Sequence, residues 1–449
     1  MPNASADRRH REHLHRHKMI IRVSPSTLRG EVQAPPSKSV MQRLVAGALI
    51  ADGTSTLDNI SQSDDCTASL MLASQLGAKI EIGEQRVSII GTGGRLLPRT
   101  DVLTPGESGL AARLFTPIAG LATTNLRMEA EGTLVQRPMA VYESLFEAYG
   151  GQLSSHNGAF PIEIARPLVG GAAELEAPIS SQYITGLLFA LPNLARASEL
   201  NVTQPTSTPY LEMTMEVLED FGIAITANDA FTHFQVDGDQ QFKPINTVID
   251  GDWSGAAALA VAGMLCAEGS IAIHGLQNQY TQADEAIRGA LLFAGGALSG
   301  IDDGIQVAKR PVRPFTVDLT DSPDLFPVLA ALAAFGKKPS TLRGIHRLEH
   351  KESHRARRIA EAWAELGIQV ELDETNDCMH VNPWAPERRS AKVRIDSSGD
   401  HRMVMALSIL GMAGNGAVEI SNAECVAKSY PEFFDDLDTL GAQIQLVKG

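Results

Sequence analysis

A glycine that closes a helical stretch returns six times along this chain at nearly constant spacing. It appears in ASQLGAKI (Gly77), FEAYGGQL (Gly150), LEDFGIAI (Gly222), LFAGGALS (Gly296), WAELGIQV (Gly367) and LDTLGAQI (Gly441). Successive glycines are 73, 72, 74, 71 and 74 residues apart. Each copy reads as an amphipathic helix, a left-handed C-cap, then a short apolar alternation suited to a strand. A fixed period of this kind means that one supersecondary unit is repeated.

A second series interleaves with the first. Six helix-length segments are apolar on nearly every face: VMQRLVAGALI, LAARLFTPIAGLA, YITGLLFALPNLA, GAAALAVAGML, LFPVLAALAAF and MVMALSILGMAG. A helix without a solvent face belongs inside a core. Each follows a small or polar cap, marked by Lys38, Gly109, Ser181, Ser254, Asp324 and His401, at intervals of 71, 72, 73, 70 and 77. The repeat is therefore a buried helix, a surface helix and strands between them. Fully buried helices argue against a thin solenoid. The chain is expected to be an α/β (α+β) protein of two globular domains with three repeats each. The first domain is expected over 34–248 and the second over 19–33 plus 249–449, with a hinge near Val248–Asp252 and a second crossing near Ala34-Pro35-Pro36. The first strand would then join the C-terminal half.

Composition narrows the function. The 449 residues carry 38 Lys+Arg against 53 Asp+Glu, a formal net charge of −15. Such a surface disfavours nonspecific nucleic-acid or anionic-membrane partners. No apolar run reaches the ~18 residues that span a bilayer. The four cysteines are scattered without a CxxC pair, which fits a reducing cytoplasm and no disulfide framework. Residues 1–18, with four of the twelve histidines, have no apolar core of a signal and are expected to be a disordered extension.

The six markers are helix N-termini, which carry unpaired N–H groups and about half a positive charge. If repeats are equivalent, these ends point the same way within each domain. Two facing domains would aim six positive ends at one cleft, an anion site. Lys38, Arg43, Arg113, Arg137, Lys351, Arg355, His401, Arg402 and Lys428 lie near these points. In so acidic a chain they suggest a small polyanion carrying phosphate or carboxylate. Asp324 and Glu352 supply acid–base groups there. The chain has no GxxxxGK[ST] loop, HExxH, GxSxG elbow or Rossmann fingerprint. His346, His350 and His354 follow i, i+4, i+8 spacing; a solvated helix face is the expectation, a metal site the alternative.

These residues fall in motifs that resemble the 5-enolpyruvylshikimate-3-phosphate synthase family. The landmarks are PSKSVMQR, GESGLAAR, QRPM, ISSQ, STPY, SPDLFP, HKESHR, GDHRM and AKSYP, in that order over residues 20–449. The resemblance implies two domains of three βαβαββ units each, an inside-out α/β barrel type. It implies transfer of the enolpyruvyl group of phosphoenolpyruvate to the 5-hydroxyl of shikimate 3-phosphate, with release of phosphate, in the shikimate pathway. It also implies a monomer working without metal or organic cofactor. By the same resemblance Lys38, Ser39, Arg43, Ser180, Ser181, Gln182, Ser207, Asp324 and Lys351 would hold shikimate 3-phosphate. Lys38, Gly109, Arg137, Gln182, Arg355, Arg402 and Lys428 would hold phosphoenolpyruvate, with Arg113, Tyr210 and His401 in support. Asp324 would be the base on the 5-hydroxyl. Glu352 would be the acid at the methylene carbon, with Lys38 its rival.

The chain departs from the family pattern at several points. GESGL stands where GNAGT is usual, so Glu107 and Leu110 replace Asn and Thr. Pro36, Thr133, Arg347 and His354 are further replacements. Pairing with Arg113 is the expected way to neutralise Glu107. The alternatives are a sister enzyme acting on UDP-N-acetylglucosamine and a non-catalytic anion-binding array. Cys66, which follows SDD, does not suit the mobile cysteine loop of the sister enzyme.

Overall fold

The computed structural model describes residues 19–176, 180–349, 351–385 and 393–447. The expected N-terminal extension and His350 lie outside the described residues. The six apolar segments form six buried helices, labelled here α1 (Lys38–Ile50), α2 (Gly109–Ala119), α3 (Gln182–Ala190), α4 (Trp253–Cys266), α5 (Phe326–Ala333) and α6 (His401–Ala413). Every residue of α2 and of α5 is buried. Local chemistry sets their ends. Ser37 and Ser108 accept hydrogen bonds from Val40 N and Ala111 N, capping α1 and α2. Asp400 caps α6 through Arg402 N. Pro192 has no N–H to continue α3, which passes into a 3-10 turn at Leu191–Asn193. Asp324 sits one turn ahead of α5, in the 3-10 turn Pro323–Leu325.

Among the described residues the strands form six four-stranded sheets. The second repeat shows the pattern in full. Val102–Leu103, α2, Leu126–Met128, the surface helix Val141–Ala148 and the hairpin Gln152–His156/Ala159–Arg166 follow in order, a βαβαββ unit. Leu126–Met128 runs parallel to the first strand and antiparallel to the last. Chain ends complete two of the sheets. Ile20–Ser24 pairs with Val418–Ser421 and Gln443–Val447, so the first strand finishes the sixth repeat. Leu28–Gln33 lies parallel to Ala267–His274 and opens the fourth repeat.

The recurrent glycines take left-handed backbone at Gly77, Gly150, Gly222, Gly367 and Gly441. In the fourth copy the left-handed residue is Gly295, one position before the expected Gly296. The helix there ends at Phe293 with Ala294 as its cap, so the turn falls on the first glycine of the pair.

The chain divides into two compact units. The first holds Pro36–Asp252 and Gln277–Ala283. The second holds the described residues up to Pro35, Trp253–Leu276 and those from Asp284 onward. The return of 277–283 to the first unit is absent from the sequence expectation, and its cause is specific. The Asp250 carboxylate receives Gln279 N and Tyr280 N at 2.9 and 3.0 Å. Glu216 receives Thr281 N and Oγ1, both at 2.7 Å. Each unit has its own hydrophobic core built around its three buried helices.

Candidate active site

In the first unit the starts of α1, α2 and α3 meet through their side chains. Ser108, the cap of α2, lies 3.5 Å from Gln42 Oε1 of α1. Arg113 of α2 donates to Gln182 Oε1, the first residue of α3, at 2.8 Å. Arg43 of α1 reaches Thr185 of α3 at 3.5 Å. The three positive helix ends therefore gather at one place.

Two guanidinium groups stand there out of water. Arg43 is 1% exposed and donates to Thr214 Oγ1 at 2.9 Å, Ser39 O at 2.8 Å and Tyr210 O at 3.2 Å. Arg113 is 2% exposed; it also donates to Pro138 O and lies 5.0 Å over the Tyr183 ring. Among the described residues these partners are all neutral. Burial without a carboxylate brings the Arg43 pKa down to about 10. A buried cation compensated only by neutral dipoles favours an incoming anion. Lys38, the first residue of α1, meets Asp65 at 2.9 Å.

Ser180 and Ser181 precede α3, and the Ser180 hydroxyl accepts Gln182 N at 3.3 Å. Ser207 is buried and left-handed at φ 54°, ψ 47°, just before the helix Thr208–Asp220 that carries Tyr210. A non-glycine residue there is strained by roughly 1 kcal/mol or more. Gly109 is a close approach: a β-carbon built on it would overlap Arg137 Nη1. Only glycine lets the Arg137 guanidinium lie across the start of α2.

The second unit gathers its helix ends on Arg402. This buried side chain donates to Ser254 O of α4 at 3.1 Å and lies 3.7 Å from Asp324 before α5. Here carboxylates are plentiful. Arg355 donates to both oxygens of Asp400, to Asp324 Oδ1 at 2.7 Å and to Glu352 Oε2 at 2.6 Å. Those three carboxylates outweigh the desolvation of Arg355 and hold its guanidinium firmly charged. Lys351 donates to Asp324 at 3.1 Å, and burial lowers its pKa. Burial likewise lowers Arg347, which feels Asp321 and Asp324. Lys428 donates to Gly399 O at 3.1 Å, and His401 is buried at the start of α6.

Thus Ser39, Arg43, Arg113, Ser181 and Gln182 come together in the first unit, and Asp324, Lys351, Glu352, Arg355 and Arg402 in the second. One expectation fails. Glu107 does not take Arg113; it receives Thr133 N at 3.4 Å and Thr133 Oγ1 at 3.5 Å, while Arg113 is engaged with Gln182. Glu107 and Thr133, both expected departures from the family pattern, touch each other. His346 and His354 do not share a helix face. His346 is in the 3-10 turn Ile345–Leu348, bonded to Asp377, and His354 precedes the helix Arg355–Glu365. Sequence reasoning missed Asp65 and Asp400, the carboxylates that hold Lys38 and Arg355. The SDD helix start and the GD before His401 were the available signals.

Comparison with known proteins places the chain in a family. The family model for EPSP synthase (3-phosphoshikimate 1-carboxyvinyltransferase) matches residues 23–437. A 3-phosphoshikimate 1-carboxyvinyltransferase of Clostridium kluyveri is 31% identical over 425 residues, covering 94% of this chain and 98% of that protein. One of Aeropyrum pernix is 32% identical over 429 residues, covering 95% and 97%. The solved EPSP synthase of Acinetobacter baumannii superposes with a TM-score of 0.78 at 24% identity, over 96% of this chain and all of that one, a likeness of fold. With the repeat architecture and both clusters of helix ends in place, the chain belongs to the EPSP synthase (3-phosphoshikimate 1-carboxyvinyltransferase) family.

Proposed function

We propose that this protein transfers the enolpyruvyl group of phosphoenolpyruvate to the 5-hydroxyl of shikimate 3-phosphate and releases phosphate. The 5-hydroxyl oxygen bonds to C2 of phosphoenolpyruvate while C3 gains a proton. The tetrahedral intermediate then loses a C3 proton and its C2–O bond to phosphate, leaving the enol ether. The steps balance with no change of oxidation state. The reactants bring two phosphates and two carboxylates, so positioned cations and helix dipoles supply much of the rate.

The observation that carries this reading is the meeting of three helix N-termini on Arg43 and Arg113, two buried guanidinium groups whose partners are neutral. In this assignment Lys38, Ser39, Arg43, Ser180, Ser181, Gln182, Ser207 and Lys351 bind shikimate 3-phosphate. Lys38, Gly109, Arg137, Gln182, Arg355, Arg402 and Lys428 bind phosphoenolpyruvate. Tyr210 and Arg113 support the first unit's cluster, and His401 supports the second. Asp324 takes the 5-hydroxyl proton. It accepts hydrogen bonds from Lys351 and Arg355 at 3.1 and 2.7 Å, which fix its position. Glu352 delivers the C3 proton, and must first leave Arg355 Nη2, 2.6 Å away. Lys38 remains the competing donor. The acting species is proposed to be a single chain in the cytoplasm; four free cysteines support a reducing compartment.

The test is phosphate release by the purified protein with phosphoenolpyruvate and either shikimate 3-phosphate or UDP-N-acetylglucosamine. Release with the first acceptor alone is expected. Release with the second alone assigns the sister activity. No release, with no calorimetric heat on adding shikimate 3-phosphate, leaves a non-catalytic array.

A further inference from the structure

The sheet built from Thr316–Asp318, Ser340–Arg343, Cys378–Val381 and Val370–Asp373 has two faces of different character. Leu342, Met379 and Val381 are buried on the inner face. Register places a different set on the outer face. Asp373 stands opposite Cys378 and Glu371 opposite His380. On the other side Thr341 pairs with His380 and Arg343 with Cys378.

On this face a carboxylate oxygen of Asp373, Sγ of Cys378 and a ring nitrogen of His380 all lie within 4.8 Å of one another. Cys378 Sγ is 3.4 Å from His380 Nε2. A sulfur and a nitrogen bound to one tetrahedral zinc, at about 2.3 and 2.0 Å, sit about 3.6 Å apart. The pair is already close to that spacing. The other nitrogen, Nδ1, is 3.0 Å from Thr341 Oγ1, an outer contact of the kind that orients a metal-bound imidazole. Asp373 is steadied by Asn376 N at 3.0 Å and Asn376 Nδ2 at 2.7 Å. The enolpyruvyl chemistry above uses none of these residues.

We propose that Asp373, Cys378 and His380 bind one divalent transition-metal ion of the zinc class, with the fourth position exchangeable. Thiolate, imidazole and carboxylate together suit zinc and cobalt(II), not magnesium or calcium. Binding forms a metal–sulfur bond and releases the Cys378 proton to solvent, with no electron transfer. The ion ties Asp373 on one strand of the hairpin to two residues of the next.

Cobalt(II) added to the full-length, reduced, chelator-stripped protein tests the site. A thiolate-to-cobalt charge-transfer band is expected at one equivalent, and zinc should abolish it. Histidines of the N-terminal segment, which contains no cysteine, bind cobalt without such a band. Cys378→Ser should lose the band and Cys425→Ser keep it. His380→Gln and Asp373→Asn should each weaken cobalt binding about tenfold or more. X-ray absorption on the unmodified zinc-loaded protein should show one sulfur at about 2.3 Å, independent of how any variant folds. No thiolate band, a band that survives Cys378→Ser, or no sulfur neighbour would overturn the proposal. Unchanged cobalt affinity in both His380→Gln and Asp373→Asn would overturn it equally.

Discussion

Arg355 and Asp400 are joined at two points, Nε to Oδ2 at 2.9 Å and Nη2 to Oδ1 at 3.1 Å, with the two side chains 1% and 0% exposed. Asp400 is also the cap of α6 through Arg402 N, at 3.0 Å. One carboxylate therefore anchors a helix start and a guanidinium that also holds Asp324 and Glu352. Asp400→Ala leaves Arg355 Nε without its buried partner and α6 without its cap, while Asp324 and Glu352 still face the guanidinium; the expected loss is about 2–3 kcal/mol. Denaturant unfolding measures it. A loss under about 1 kcal/mol would mean that the pair does not hold this corner of the unit.

Asp324→Ala is expected to lower kcat by roughly 10²–10⁴, the usual contribution of a positioned base. Steady-state phosphate release with both substrates varied reads this out. An effect confined to KM would remove Asp324 from the proton transfer.

Gly109→Ala places a methyl group on the Arg137 guanidinium. The KM for phosphoenolpyruvate is expected to rise about tenfold or more, which is about 1.4 kcal/mol of lost binding, with the KM for shikimate 3-phosphate little changed. The reverse pattern would move Arg137 to the other substrate.

Lys38→Met should abolish phosphate release while shifting the thermal midpoint by only a few degrees. The side chain ends against Asp65 at 2.9 Å, outside the hydrophobic core. Normal turnover in this variant would refute the assignment of the α1 start to substrate.

His274 and Asp303 form a 2.7 Å pair on the second unit, and Glu31 lies 3.4 Å from the other ring nitrogen. The Asp303 bond raises the His274 pKa, and His274 in turn lowers that of Asp303. The histidine's contribution is full below its ordinary value of about 6.5 and fades as pH rises through the higher folded value. The aspartate's is present above about 3.9 and is lost as pH falls. The thermal midpoint of His274→Gln should therefore fall furthest below the parent near pH 5.5, and the two should converge by pH 8.5. A gap that stays constant with pH would exclude this pair as its source.

Much of the architecture is legible in the linear chain because it rests on local rules. Helices apolar all round must be buried, serines before them must cap, and a glycine must turn each surface helix into its strand. These effects act within a few residues, so the repeat and its six buried helices can be read before any contact is known. The motif order over residues 20–449 likewise leads to the family. The local rules weaken where two options are adjacent, as at Gly295 and Gly296, where the helix end selects the first.

Tertiary structure alone decided which charge meets which. Arg113 turned to Gln182 and not to Glu107; Arg355 collected Asp324, Glu352 and Asp400; Asp250 and Glu216 drew 277–283 into the first unit. Sheet register did the same for Asp373, Cys378 and His380, which share a face because two strands pair with one alignment and not its neighbour. The physical reason is common to all of them. A side chain's periodicity is written in its neighbours along the chain, but its partner is set by distances that exist only after distant segments have packed.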